Sequence, residues 1–501
     1  MPIYKGIATF AVALTALTGT IQSAEQKVQD LSLQDCIELA LKHNLDLQVE
    51  RRNPIRAEYN IDIARAGYYE PTFGFTAAED YSKAAAQFDP SIGLIIPGQE
   101  TTTDSFSSSI RGALPYTGLQ YSLNANGSVT EGNGGAQNSR GGSSIVLTQP
   151  LLRNFWTDSG RLGINQSRNN FRSTELALKR RVMDTITQVE VAYYNLIFTY
   201  ESVKVQEMAR QLAQRSLDET KKRFEVGTVA ELETKQTESQ VAAREADLLS
   251  ARRNLDIQQN VLKRLISDDY GAVHRLVLKP KESLSAQLQV FDVQLSWDKG
   301  LSDRPDLVQS RIELENMGLQ LKFDRNQLYP QLDLFGSYGQ NGTGVDLGES
   351  YDAVANGDQP NYRIGATLSI PLGNRAARSR YRSNKVREEQ LLLTLKSQEQ
   401  GIMIEIDNAI KQASSSYDRV QATRKASEYS QAALEAEQKK LENGKSTSFV
   451  VLQLQNDLTS ARSSELRAVA DYNNALAELS FRDATTLNRH NIDWEVAKEV
   501  K

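Results

Sequence analysis

Apolar residues over one long run of the chain step alternately by four and three. Val182, Ile186, Val189, Tyr193, Leu196, Tyr200 and Val203 keep this spacing, which sets them on one seam of a helix packed against other helices. No glycine or proline occurs from Ile164 to Val226 or from Thr228 to Tyr270. Both runs can therefore stay helical, and Gly227 is the residue suited to reversing the chain between them. The pattern predicts a helical hairpin over about 157–267, whose first arm of about 60 residues would be on the order of 90 Å long. A compact domain needs nothing so long. A second seam runs through Leu454, Leu458, Ala461, Ala468, Tyr472, Ala475 and Leu479, with polar Glu465 as its gap.

Before the first hairpin, Leu31 to Ala66 is helical in pattern with Pro54 inside it. A proline there removes one backbone bond, so a kink or two helices end to end are expected. At Pro71 the period changes to two: Phe73, Phe75 and Ala77 alternate with Thr72, Gly74 and Thr76. From Thr101 to Gln149 the only charges are Asp104, Arg111, Glu131 and Arg140. There Leu119, Tyr121, Leu123 and Ala125 face one way, and Gln120, Ser122, Asn124 and Asn126 the other. Tyr362, Ile364, Ala366, Leu368 and Ile370 alternate likewise with polar and small neighbours. Strands are thus expected over about 71–150 and about 330–371. Such segments suit a barrel wall with a lipid face and a water face; a soluble sandwich with one buried face fits the alternation equally.

The amino terminus separates those readings. Lys5, the apolar run Gly6 to Ile21, and small Ser23 and Ala24 before Glu25 read as a secretory signal over 1–24. A chain that leaves the cytoplasm and meets a membrane through strands, with no long apolar helix, points to the bacterial outer membrane. The single cysteine, Cys36, excludes a disulfide framework and a cysteine metal site. Leu33, Gln34 and Asp35 before it are too polar for a lipoprotein signal, so its expected place is the inner face of the first mature helix. A formal charge of −5 without basic patches gives no sign of nucleic-acid binding. The histidines His43, His274 and His490 are scattered, and no phosphate loop or nucleophile motif occurs. Neither an enzyme nor a cofactor is indicated.

The order of elements restarts at Pro305. Leu45-Asp46-Leu47 answers to Pro305-Asp306-Leu307, Tyr69 and Pro71 to Tyr329 and Pro330, and Pro150-Leu151 to Pro371-Leu372. Around the turns, Lys222 to Gly227 matches Lys439 to Gly444. Two repeats are expected, 25–300 and 301–484, with a second helical hairpin over about 374–482 and a tail over 485–501. The first repeat carries about 40 extra residues, nearly all between Pro71 and Pro150, with room for an added strand hairpin at about 104–128. Four or six strands cannot close a barrel alone, and open edges in lipid leave backbone groups unsatisfied. Several identical chains in a ring would close it.

With these features the sequence resembles the TolC-like outer-membrane efflux proteins from about Leu31 to Ala484. The resemblance rests on the duplicated order of elements, on Arg304-Pro305-Asp306-Leu307, on Tyr329-Pro330, on Gln149-Pro150-Leu151-Leu152 and on the glycine hairpin tips. It implies an α+β membrane protein: a homotrimer sharing one transmembrane β-barrel, continued into the periplasm by a long α-helical barrel. Its role would be an exit duct joined by a periplasmic adaptor to an inner-membrane pump or ABC transporter. Residues 271–300 and 485–501 would lie in a mixed equatorial region. The tips Val226-Gly227-Thr228 and Asn443-Gly444-Lys445 would dock the adaptor, and Glu225 and Glu442 would ring the entrance; helix caps and solvated helix-end charges are the plain alternatives. A coiled-coil structural protein or the adaptor itself are the competing classes. Neither accounts for strands and helices repeated in the same order.

Overall fold

The computed structural model describes residues 28–499 apart from Tyr116, Gly134 and Ala136, so the signal segment 1–24 lies outside it. The described chain opens with β1 (Val28–Leu31) and α1 (Leu33–His43). Ser32 and Asp35 cap α1 reciprocally, each side-chain oxygen accepting the other's backbone N–H at 3.1 and 2.9 Å. Cys36 is fully buried on the inner face of α1, and burial pushes its thiol up to about 12. The two end-to-end helices expected around Pro54 exist, but the break lies elsewhere. α2 (Leu45–Tyr69) runs through Pro54 without interruption, and the chain breaks at Asn44. The Asn44 amide accepts from the Leu47 N–H at 3.0 Å and donates to the Leu265 carbonyl at 3.1 Å. That cap fixes the boundary, while Pro54 gives up one helix bond and buries its ring.

The first strand region holds β2 (Thr72–Lys83), a small hairpin of β3 (Gln87–Asp89) and β4 (Leu94–Ile96), then β5 (Glu100–Ala113), β6 (Gln120–Gly132) and β7 (Gln137–Pro150). α3 (Ser159–Glu225) and α4 (Glu231–Ile266) form the first long hairpin. A mixed stretch follows, with α5 (Tyr270–Val273), β8 (Val277–Pro280) and α6 (Val293–Asp303); β8 pairs in parallel with β1. The remaining order is α7 (Pro305–Asn326), β9 (Gln331–Gly344), α8 (Leu347–Asn356), β10 (Gln359–Ser369), α9 (Arg375–Glu442), α10 (Ser448–Arg482), α11 (Thr486–Arg489) and α12 (Trp494–Glu499).

Six strands form one antiparallel sheet in the order β10, β9, β7, β6, β5, β2. Its register puts Phe73, Ile110, Leu123, Ile145, Tyr338 and Tyr362 in one row across all six strands. The next row, on the opposite face, is Gly74, Ser109, Asn124, Ser144, Gly339 and Asn361. One face is therefore apolar and the other small and polar from edge to edge. The apolar face lies open: Phe73 is 69 % exposed and Tyr362 79 %. At the end of the sheet away from the long helices, α8 lies on that same face over Gly127, Gly141 and Gly342, where it buries the Ser350 hydroxyl against that of Ser139 at 3.2 Å.

α3 and α9, of 67 and 68 residues, are each about 100 Å long. α4 and α10 flank their distal halves and α2 and α7 their sheet-side halves, so four helices run side by side at either level. The seam residues Val182, Ile186, Val189, Tyr193 and Leu196 are buried, whereas Tyr200 and Val203 are half-buried. The largest core gathers α1, α3, α4 and β8 midway along α3 and takes in Leu487 and Ala497 of the carboxy-terminal segment. There the Tyr193 hydroxyl donates to the Leu31 carbonyl at 3.0 Å and also contacts Glu282. His490 Nε2 sits 2.9 Å from the buried Glu190 carboxylate, a packing role that fastens the tail to α3. A second junction centres on Arg304, one tenth exposed. Its guanidinium grips Asp306 at 2.7 and 3.1 Å and Glu405 at 2.8 Å, tying the start of α7 to α9. Burial alone would raise both carboxyls and lower the guanidinium, but their mutual hydrogen bonds outweigh it. Asp306 and Glu405 end below, and Arg304 above, their ordinary values.

Candidate functional site at the hairpin tips

α3 and α9 end in the same way. After α3, Val226 is the last half-helical residue, and Gly227 takes the left-handed conformation at φ +79°. The Gly227 N–H donates to the Phe224 carbonyl at 2.9 Å and the Thr228 N–H to Arg223 at 2.9 Å. After α9 the equivalents are Asn443, Gly444 at φ +71°, Gly444 to Leu441 at 3.0 Å and Lys445 to Lys440 at 2.8 Å. This crossed pair of bonds satisfies carbonyls that a helix end leaves open, and it requires a residue that tolerates positive φ. Side chains add to it: the Thr228 hydroxyl donates to the Arg223 carbonyl at 2.8 Å and the Asn443 amide to Lys439 at 2.7 Å.

The cap geometry accounts for every glycine bond at the tips, yet leaves the surface itself open. Val226 is 73 % exposed, and a Cβ on Gly227 or Gly444 would meet nothing within 4 Å. Glu225 and Glu442 are the last helical residues, both exposed, and neither carboxylate has an ion-pair partner among the described residues. Across the second tip, Lys440 before it and the Ser446 hydroxyl after it hydrogen-bond Glu437 and hold its carboxyl below the usual range.

Side-chain hydrogen bonds between α4 and α10, with the packing of α3 on α10, bring the two tips to one end of the chain. The Ser448 hydroxyl donates to Glu233 at 3.3 Å, and Asn456 hydrogen-bonds both Gln240 and Arg244. Below them Leu434, Val451 and Leu458 form a small core with Leu212 and Leu441. These cross-hairpin partners escaped the sequence reading because each pair lies more than 200 residues apart in the chain. Seam spacing finds apolar contacts only. Among the described residues no group of histidine, cysteine and carboxylate side chains could hold a metal, and no helix is long and apolar enough to cross a membrane.

The geometry is that of known channels. The family model described as outer membrane efflux protein matches residues 36–267 and 298–482. The alkaline protease secretion protein AprF of Pseudomonas aeruginosa is 23 % identical over 350 residues, which are 68 % of each chain. The outer membrane protein TolC of Vibrio cholerae is 22 % identical over 299 residues, 59 % of this chain and 64 % of that one. Among solved structures, CusC superposes with a TM-score of 0.67 over 91 % of this chain and 92 % of its own, at 16 % identity. The Campylobacter jejuni CmeC outer membrane channel does so at 0.64 over 98 % and 99 %, also at 16 % identity. The family match removes the coiled-coil and adaptor readings. The chain belongs to the outer membrane efflux protein family, the non-enzymatic channels of the outer membrane whose helices extend into the periplasm.

Proposed function

We propose that the protein is the passive exit duct of a tripartite efflux or type I secretion system. Cargo would pass from an inner-membrane pump or ABC transporter, through a periplasmic adaptor, to the exterior. The observation that carries this reading is the sheet: one face apolar and open to the surroundings, one face polar, and two unpaired edges, β2 and β10. In lipid those edges leave a row of backbone donors and acceptors without partners. A homotrimer removes the edges and surrounds a polar bore, with twelve helices at each level of the tunnel below. The matching order of strands and helices in 25–300 and 301–484 supports a duplicated module, with 485–501 as its tail.

In this assembly six tips face the periplasm, and Val226-Gly227-Thr228 with Asn443-Gly444-Lys445 form the surface that docks the adaptor. Exposed backbone at Gly227 and Gly444 supports that role, since a partner can approach closely where no Cβ intervenes. Replacing both glycines with bulky residues is expected to abolish export while the trimer still forms. Normal export by the double variant would refute docking at the tips. Glu225 and Glu442, repeated three times, place six carboxylates about the mouth and favour cations there. Single-channel recordings on Glu225→Gln with Glu442→Gln test this: unchanged cation preference and divalent block would remove the carboxylate ring.

A further inference from the structure

We infer that each chain contributes six strands, not four, to the wall, so that the trimer closes an eighteen-stranded barrel through pairing of β2 of one protomer with β10 of the next. This rests on the trimeric duct reading and specifies its membrane part. If the extra hairpin β5–β6 lay outside the wall, β2 would have to pair with β7. Instead β5 and β6 stand between them, bonded along their full lengths: Thr72–Lys83 to Glu100–Arg111, Thr101–Ala113 to Gln120–Gly132, and Gln120–Glu131 to Gln137–Thr148.

The side chains of the inserted strands obey the same two-faced rule as their neighbours. Ile110 and Leu123 continue the apolar row from Phe73 to Ile145, and Ser109 and Asn124 continue the polar row beneath it. A hairpin lying off the wall would have no reason to match both rows in register. Its turn is also seated on the helical shoulder. Thr117 accepts from the Gln149 amide at 3.0 Å, and Gly118, at φ +71°, lies beside the Arg161 side chain and the Phe155 carbonyl. The strand count is even, so β2 and β10 run in opposite directions and can pair as every neighbouring pair in the sheet does.

Girth is compatible with this count. Strands about 4.8 Å apart and tilted by about 40° take up about 6.3 Å of circumference each, so eighteen make a ring about 36 Å across and twelve a ring about 24 Å across. Twelve helices packed at about 9–10 Å make a ring about 35 Å across. At that tilt eighteen strands continue the tunnel at one width, whereas twelve would have to tilt more steeply to match it. The duct would be as wide where it crosses lipid as in the periplasm, and any constriction would lie at the tips or in the outer loops.

Cysteine cross-linking of the full-length trimer tests the closure, using polar-face positions where a thiol does not meet lipid. Thr76→Cys or Ala78→Cys on β2 is combined in turn with Asn361→Cys, Thr367→Cys or Ser369→Cys on β10; the native Cys36 is buried and serves as background. Expected is a disulfide between protomers for at least one combination, giving covalent trimers on denaturing gels. A control pair, Thr76→Cys with Ser144→Cys on β7, should stay unlinked. A link in this control pair, whatever the β2–β10 pairs do, or no link in any β2–β10 combination, would overturn the eighteen-stranded wall while leaving the duct. Failure of the unmodified protein to form trimers in detergent would instead overturn the reading beneath it.

Discussion

Replacing Arg304 with Met should cost about 3 kcal/mol, an estimate that begins from about 3–5 kcal/mol for deleting one partner of a buried ion pair. Arg304 is one tenth exposed and Asp306 about one sixth, so that pair is screened little; Glu405 is 44 % exposed and keeps Arg482 at 3.1 Å, which discounts its share. Met retains most of the stem's packing, so the loss reports on charge and hydrogen bonds. Arg304→Lys should fall between, because one ammonium cannot grip both Asp306 oxygens and Glu405 at once. The assay is guanidinium unfolding of the detergent-solubilised protein, followed by helical circular dichroism. A pH series adds a check of sign. Asp306 and Glu405 are held below their ordinary 3.8 and 4.5, so their contribution is complete above those values and is lost as pH falls through the lower folded values. The gap between wild type and Arg304→Met should therefore be wide at pH 7 and close in acid once the pH has fallen through those lowered values. An unmoved midpoint at pH 7, or the same gap at both pH values, would refute the account.

Three further outcomes follow from the packing. Gly342→Val should lift α8 off the sheet, because the added carbon would meet the backbone of Ser350 and Val354, which cannot yield; faster amide exchange in 347–356 with unchanged exchange in β9 is the expected reading. Gly227→Ala meets no neighbour, so only the left-handed backbone resists it, and a loss of about 1 kcal/mol in thermal unfolding with the trimer intact is expected. Tyr193→Phe leaves the Leu31 carbonyl and Glu282 without their donor and should cost about 1–2 kcal/mol, measured by the same unfolding titration.

The sequence by itself determined the elements whose causes are local. Seam spacing marked both hairpins as helical, in the first of them no glycine or proline occurs from Ile164 to Val226 or from Thr228 to Tyr270, and period-two alternation marked the strand segments that became β2, β6 and β10. Gly227 and Gly444 were legible as turns because positive φ is a property of the residue itself. Other decisions needed the folded chain. Pro54 read as the break in the first helical passage, yet Asn44 holds it, because its amide finds the Leu265 carbonyl 221 residues away. Arg304-Pro305-Asp306-Leu307 was visible as a motif, but its purpose depends on Glu405, brought in by α9. The place of the extra hairpin was also decided only in three dimensions. Alternation says which face a residue takes and not which strand lies beside it; strand order is fixed by backbone hydrogen bonds between segments far apart in the chain.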